Sequence, residues 1–172
     1  MIVLNLPKKG GILSEKYSKM KCSEYAKCLN FAFLLLAKRM HSSAELRAKL
    51  RNKYWNCDVD SVVEECKRLN LLDDECFAKC YIQELIQKGY GFFKIRLSLK
   101  MKGFSEELIN EYIKLFGDVE DELERAKNVA LKKIKFWRGN PELKNRVKLK
   151  RYLLSKGYSY EIVNLTVEDV YS

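Results

Sequence analysis

The chain has 172 residues, 47% of them apolar and 33% charged, with only 8 Gly and 2 Pro. That balance excludes a disordered chain and a turn-rich all-β protein, and it points to helices. Lys and Arg number 33 against 23 Asp and Glu, and the net charge of +10 favours an acidic partner: nucleic acid, an acidic protein surface or a membrane face.

In chain order, residues 1–22 show no apolar period and read as a leader, with a short strand over Met1 to Leu6. Helical patterning begins at Ser23. A first helix, Ser23 to Arg39, has Leu29, Phe33 and Leu36 at its core. Ser42 caps a second helix, Glu45 completes a capping box, and Leu46 and Leu50 face inward. Asp58 caps a third, with Val62, Val63, Cys66 and Leu69 inward. Asp73 opens a fourth, striped by Phe77, Tyr81, Ile82 and Leu85 and stopped by Gly89. A short fifth helix with Ile95 and Leu99 ends at Gly103, and Ser105 caps a sixth with Leu108, Ile109 and Tyr112. A long seventh, Val119 to Trp137, places Leu123, Ala126, Ala130, Ile134 and Trp137 on one stripe. Asn140-Pro141 starts an eighth, which carries Leu149 and Leu153 and ends at Gly157. Ser159 caps a ninth with Ile162 and Val163.

The pattern repeats. Ile95, Leu99, Gly103, Phe104, Ser105 and Ile109 match Leu149, Leu153, Gly157, Tyr158, Ser159 and Val163 at a constant offset of 54. Leu46, Leu50, Asp58 and Val62 form a looser copy with a two-residue insertion, Trp55-Asn56. The expected fold is all-α: three tandem three-helix repeats in an elongated, curved array. Its divisions are the leader 1–22, repeat one 23–70, repeat two 71–117 and repeat three 118–172. Phe104 and Tyr158, at equivalent positions, read as packing residues, and Tyr90 as an exposed turn residue.

Six cysteines, at 22, 28, 57, 66, 76 and 80, include no Cys-x-x-Cys pair, and the single histidine, His41, has no cysteine beside it. Without a secretory signal they read as reduced, mostly buried thiols of a cytoplasmic protein, not as a disulfide or zinc framework. The longest apolar run, Phe31 to Ala37, is far short of the ~20 residues that cross a bilayer. No phosphate-binding glycine loop occurs. His41, beside a helix start, reads as a capping or surface residue, and Asp73-Asp74 as helix N-terminal charge in preference to a metal pair. No cofactor, metal or enzymatic activity is expected.

The charge is concentrated. Arg125 to Gly157 holds twelve Lys or Arg and one acid, Glu142, a net of +11. The other 139 residues carry 21 bases and 22 acids. Lys144, Lys148 and Arg151 share a narrow helical stripe opposite Leu149 and Leu153, and Lys132 and Lys133 lie on the preceding helix. Asp58 to Glu75 is the converse, with seven acids against Lys67 and Arg68.

The order of several motifs resembles the RecX family of recombination regulators. They are Leu35-Leu36-Ala37-Lys38-Arg39-Met40-His41-Ser42 with Glu45-Leu46-x2-Lys49-Leu50, then Leu71-Leu72-Asp73-Asp74-x2-Phe77-Ala78-x2-Tyr81-Ile82. Lys88-Gly89-Tyr90-Gly91-x3-Ile95-x3-Leu99-x3-Gly103 and Gly157-Tyr158-Ser159-Tyr160 continue the series, so the resemblance covers about residues 25 to 165. It implies three three-helix repeats without enzyme activity. It also implies a regulator that binds the RecA recombinase and lies in the groove of its filament on single-stranded DNA, while the capped array itself reads as a monomer. Filament extension, ATP hydrolysis, strand exchange and coprotease activity would fall, modulating DNA repair, recombination and the SOS response. Some relatives also bind DNA directly. Relatives often place arginines between the Tyr-Ile pair and the Gly-x-Gly turn, where this chain has Gln83-Glu84-Leu85-Ile86-Gln87, and the basic load moves to repeat three.

The residues expected to meet RecA or DNA are Lys144, Lys148 and Arg151, then Lys132, Lys133 and Arg146. A second tier is Arg47, Lys49 and Arg51 in repeat one and Lys94, Arg96 and Lys100 in repeat two. The alternative reading is a basic all-helical nucleic-acid-binding module without RecA contact.

Overall fold

A computed structural model describes residues 11–135, 137 and 142–172, with the side chains of 24–135, 137 and 145–172. Among the described residues there are nine helices and no strand. They are α1 Gly11–Lys38, α2 Ser43–Lys53, α3 Val59–Arg68, α4 Asp74–Gln87, α5 Phe92–Met101, α6 Glu106–Lys114, α7 Val119–Ile134, α8 Glu142–Lys156 and α9 Tyr160–Val170. The chain forms two compact units that part between Asp74 and Glu75.

Unit one carries α1 to α3 around Cys28, Ala32, Leu46, Leu50, Val59, Val62, Val63, Cys66 and Leu72. Ser42 accepts the amide of Glu45, and Asp58 that of Ser61, so both expected N-caps form. Burial pushes the Cys28 thiol up to about 12, which keeps it protonated inside the core. His41 is buried, not at the surface. Its Nδ1 lies 2.9 Å from the Arg39 carbonyl and its Nε2 3.0 Å from the Lys49 ammonium. The ring is therefore the neutral tautomer, donating from Nδ1 and accepting at Nε2. Burial holds its pKa below the ordinary imidazole value.

Unit two carries two cores. One joins α4, α5 and α6 through Phe77, Ala78, Ile82, Leu85, Ile95, Leu99, Phe104, Ile109, Tyr112 and Ile113. The other joins α7, α8 and α9 through Ala126, Ala130, Leu149, Leu153, Tyr158, Ile162, Val163 and Val167. The offset of 54 is realised in detail. Gly103 and Gly157 end their helices at φ of 86° and 88°, the left-handed region that glycine enters without strain. Phe104 and Tyr158 are both buried, and Ser105 and Ser159 both cap the following helix. The repeat also carries a pair not foreseen: Arg96 donates to Asn110, and Lys150 donates to Asn164 at 2.8 Å.

Several expectations are corrected. Helix α1 begins at Gly11, so 11–22 continue the helix and are not a loose leader. The stretch from Ile12 to Lys21 has no Gly or Pro, and a nucleated helix propagates through good formers without an apolar period. Among the described side chains of α1, Cys28 and Ala32 are the fully buried ones, with Leu29, Phe33 and Leu36 packed half-buried around them. Leu69 and Leu108, expected inward, are exposed. Helix α7 ends at Ile134 because the Trp137 amide turns back onto the Ile134 carbonyl, which still packs Trp137 on the third core. The Met1 to Leu6 strand and the Asn140-Pro141 start signal lie outside the described residues.

Candidate functional site

The basic segment is held by a backbone joint inside unit two. The first amides of α5 would be orphans in an isolated helix. Here the next repeat satisfies them. The Gly91 amide donates to the Lys156 carbonyl at 3.0 Å, that of Phe92 to Glu122 Oε1 at 2.6 Å, and that of Phe93 to the Gly157 carbonyl at 3.2 Å. The end of α8 thus abuts the start of α5, its negative dipole end against a positive one. Gly91 has φ of −80°, which any residue tolerates, so its glycine is needed for approach and not for conformation. A Cβ there would stand 2.5 Å from the Gly157 carbonyl oxygen and 2.6 Å from the Tyr158 amide nitrogen. Glu122 is buried, and burial raises its pKa although the Phe92 amide and the nearby Arg125 and Arg96 favour its charge. Unit one uses the same device, with the Asp74 carboxylate taking the first amide of α2, Ser43, at 2.7 Å. Asp74 is therefore spent on a cap. No group of three or more His, Cys, Asp or Glu is placed for a metal among the described residues.

Beside the joint lies a cleft of about 270 Å³ lined by Gln87, Lys88, Gly89, Val129, Lys132, Lys133 and Tyr152. Lysines and tyrosines interleave around it. The Lys133 ammonium sits 5.0 Å from the Tyr152 ring, and that of Lys156 lies 5.8 Å from the same ring and 4.6 Å from Tyr90. Lys156 also donates to the Lys88 carbonyl at 3.1 Å. Lys88 pairs with Glu84, which raises its pKa.

The structure divides the expected site residues into three groups. Lys132 and Lys133 are brought together at the cleft. Lys148 and Arg151 are exposed on α8 and have no ionic or hydrogen-bonding partner among the described residues. Lys144 lies on the same helix, its side chain outside the described residues. The others have internal partners. Arg146 donates to the Tyr171 carbonyl at 3.0 Å and lies over that ring. Arg47 and Arg51 both bind Asp60, whose pKa they lower, and Lys49 pairs with Glu45 at 3.6 Å. Lys94 donates to the Ser155 carbonyl at 3.3 Å, Arg96 to Asn110, and Lys100 pairs with Glu106 at 3.6 Å. The acids of Asp58 to Glu75 thus neutralise much of the repeat-one basic set, and the expected site residues left without an ionic partner among the described residues, Lys132, Lys133, Lys148 and Arg151, all lie in repeat three.

Comparison with known proteins fits this arrangement. Residues 73–113 match the second three-helix domain of RecX, and residues 120–166 match the third. The chain is 33% identical over 153 residues to "Regulatory protein RecX" of Prosthecochloris aestuarii, an alignment covering 88% of this chain and 98% of that one. The chain belongs to the RecX family. The protein of the same description from Clostridium acetobutylicum is 31% identical over 180 residues, covering 100% of this chain and 83% of the relative. The crystal structure of RecX from Lactobacillus salivarius shares the fold, with a TM-score of 0.72 at 22% identity over 86% of this chain and 97% of that chain. A second crystal structure of a regulatory protein RecX gives 0.73 at 24% identity over 98% and 81%.

Within this RecX-family chain, residue-by-residue reading missed Glu122, Lys88, Tyr152 and Lys156 as neighbours at one joint. Glu122 did leave a signal. It stands at four-residue spacing from Ala126 and Ala130, an acid on the apolar stripe of α7, and such an acid needs a partner.

Proposed function

We propose that the chain is a non-enzymatic regulator of a RecA recombinase. It binds RecA and the RecA filament on single-stranded DNA, and blocks extension by occupying the groove. ATP hydrolysis, strand exchange and coprotease activity fall as a result. In the cell this is the role of a cytoplasmic monomer in recombinational DNA repair and the SOS response. Family membership supports the reading, and the observation that carries it to a mechanism is the gathering of uncompensated cations in repeat three. A RecA filament holds DNA phosphates in a long groove, and a cationic face suits that field. No helix among the described residues is long and apolar enough to cross a membrane.

Co-sedimentation tests this reading against that of a plain nucleic-acid-binding module. The chain is spun with RecA filaments locked by a slowly hydrolysed ATP analogue, at a salt concentration where it no longer binds bare DNA. Sedimentation with the filament under those conditions supports RecA contact. Loss of filament binding in step with bare-DNA binding contradicts it.

A further inference from the structure

The cleft beside the joint is not explained by packing. It draws Lys88 from the end of α4, Lys132 and Lys133 from α7 and Tyr152 from α8 around one concavity. Lys132 and Lys133 make no ion pair among the described residues, and Glu84, the carboxylate beside Lys88, is already paired with it. Lys132 and Lys133 thus bring two positive charges without a counter-charge to the cleft, an arrangement that an anion relieves. We propose that the cleft is a phosphate subsite for single-stranded nucleic acid. Lys132 and Lys133 bind one backbone phosphate with Lys88 beside them, and the adjoining sugar rests on Val129 and Tyr152.

Two observations favour nucleic acid over an acidic protein. The cationic lining is all lysine, and protein interfaces are depleted in lysine, whereas lysine is a common phosphate ligand. The hollow also suits a strand that can bend a phosphate and sugar inward, which a stiff duplex does not. Tyr152 acts as a positioning residue, since its ring lies 5.0 Å from the Lys133 ammonium and 5.8 Å from that of Lys156.

The inference deepens the reading of a protein that lies along filament DNA and rests on it, so its test omits RecA. Anisotropy of a labelled oligo(dT) is titrated with the intact chain, with Lys132→Gln/Lys133→Gln, and with Lys148→Gln/Arg151→Gln, which removes the same charge from the exposed stripe. The cleft variant is expected to bind roughly tenfold more weakly or worse, with a log–log salt slope shallower by about 0.7 for each phosphate that it no longer neutralises. The stripe variant is expected to lose less. Equal losses in the two variants overturn the subsite in favour of a diffuse field, and no loss in the cleft variant overturns it outright. Duplex DNA bound as tightly and with the same dependence on the cleft lysines overturns the single-strand assignment. Polyglutamate bound as tightly as oligo(dT) overturns the choice of nucleic acid. If circular dichroism shows the double cleft variant unfolded, Lys132→Glu, at an exposed position, is compared with Lys148→Glu, with the same outcomes. Retained inhibition of RecA alongside a negative oligonucleotide result removes the subsite and leaves the regulator reading standing.

Discussion

Replacing Gly91 by alanine tests the joint on which the basic face is mounted. A Cβ at 91 would meet three backbone atoms of residues 157 and 158 at 2.5 to 2.6 Å, and none of these can turn aside as a side chain would. Relief to an ordinary carbon contact of ~3.5 Å needs the start of α5 and the end of α8 to part by roughly 1 Å. Amide bonds of 3.0 and 3.2 Å then lengthen beyond hydrogen-bonding range, and the 2.6 Å bond from Phe92 to Glu122 is strained with them. Two neutral bonds at about 1 kcal/mol each and one to a carboxylate at about 1.5 to 3 kcal/mol give an expected loss of about 3.5 to 5 kcal/mol. An N-cap glycine with no such clash would lose at most about 1 kcal/mol on becoming alanine. Urea unfolding measures the loss, and hydrogen exchange at the Phe92 and Phe93 amides reports whether the joint has opened. A loss under 1 kcal/mol with both amides still protected would refute the argument that backbone contact holds repeats two and three together.

The remaining predictions concern charge. Glu122→Ala is expected to cost about 1 to 3 kcal/mol more than Glu122→Gln, because Gln keeps an acceptor for the Phe92 amide and Ala leaves that donor buried and unpaired; equal costs in urea unfolding would show that the amide bond contributes nothing. His41 is the single histidine, so its imidazole gives one proton NMR titration, and its midpoint is expected below the ordinary value of 6.5; a midpoint at or above that value contradicts the buried neutral ring. The folded state resists protonating His41 while the unfolded chain does not. Its contribution to stability is therefore complete above pH 6.5 and is lost as the pH falls through the lower folded-state value, a slope that His41→Gln should flatten. Replacing Lys144, Lys148 and Arg151 together by Gln should weaken filament binding and flatten its salt dependence, while unchanged binding at low salt would remove that stripe from the interface.

The repeat was legible because its marks are local. A serine three residues before the amide it caps, a left-handed glycine at a helix end and a four-residue apolar stripe each act within one turn, so Ser105 with Ser159 and Gly103 with Gly157 announced themselves. The site was legible only in its charge. Repeat three was correctly read as the basic one, but the cleft depends on Lys88, Lys132 and Tyr152, far apart in sequence and joined only when α4, α7 and α8 pack. Arg47, Arg51 and Arg96 stood in the second tier of candidates for their local charge alone, and sequence does not show which cation is spent. Asp60 lies on a different helix from Arg47 and Arg51, and Asn110 on a different helix from Arg96. The pairing of Arg96 with Asn110 and of Lys150 with Asn164 could have been found, since both members of each pair recur at the offset of 54.

The proposed action on a RecA filament is by occupancy and not by coating DNA. RecA's single-strand-dependent ATP hydrolysis, titrated with the chain far below the RecA concentration, tests it most directly. Inhibition is expected at substoichiometric amounts, since one chain in the groove or at a filament end would halt many RecA subunits. Inhibition that begins only when enough chain is present to cover the DNA would contradict it, and the protein would then be a competitor for phosphates.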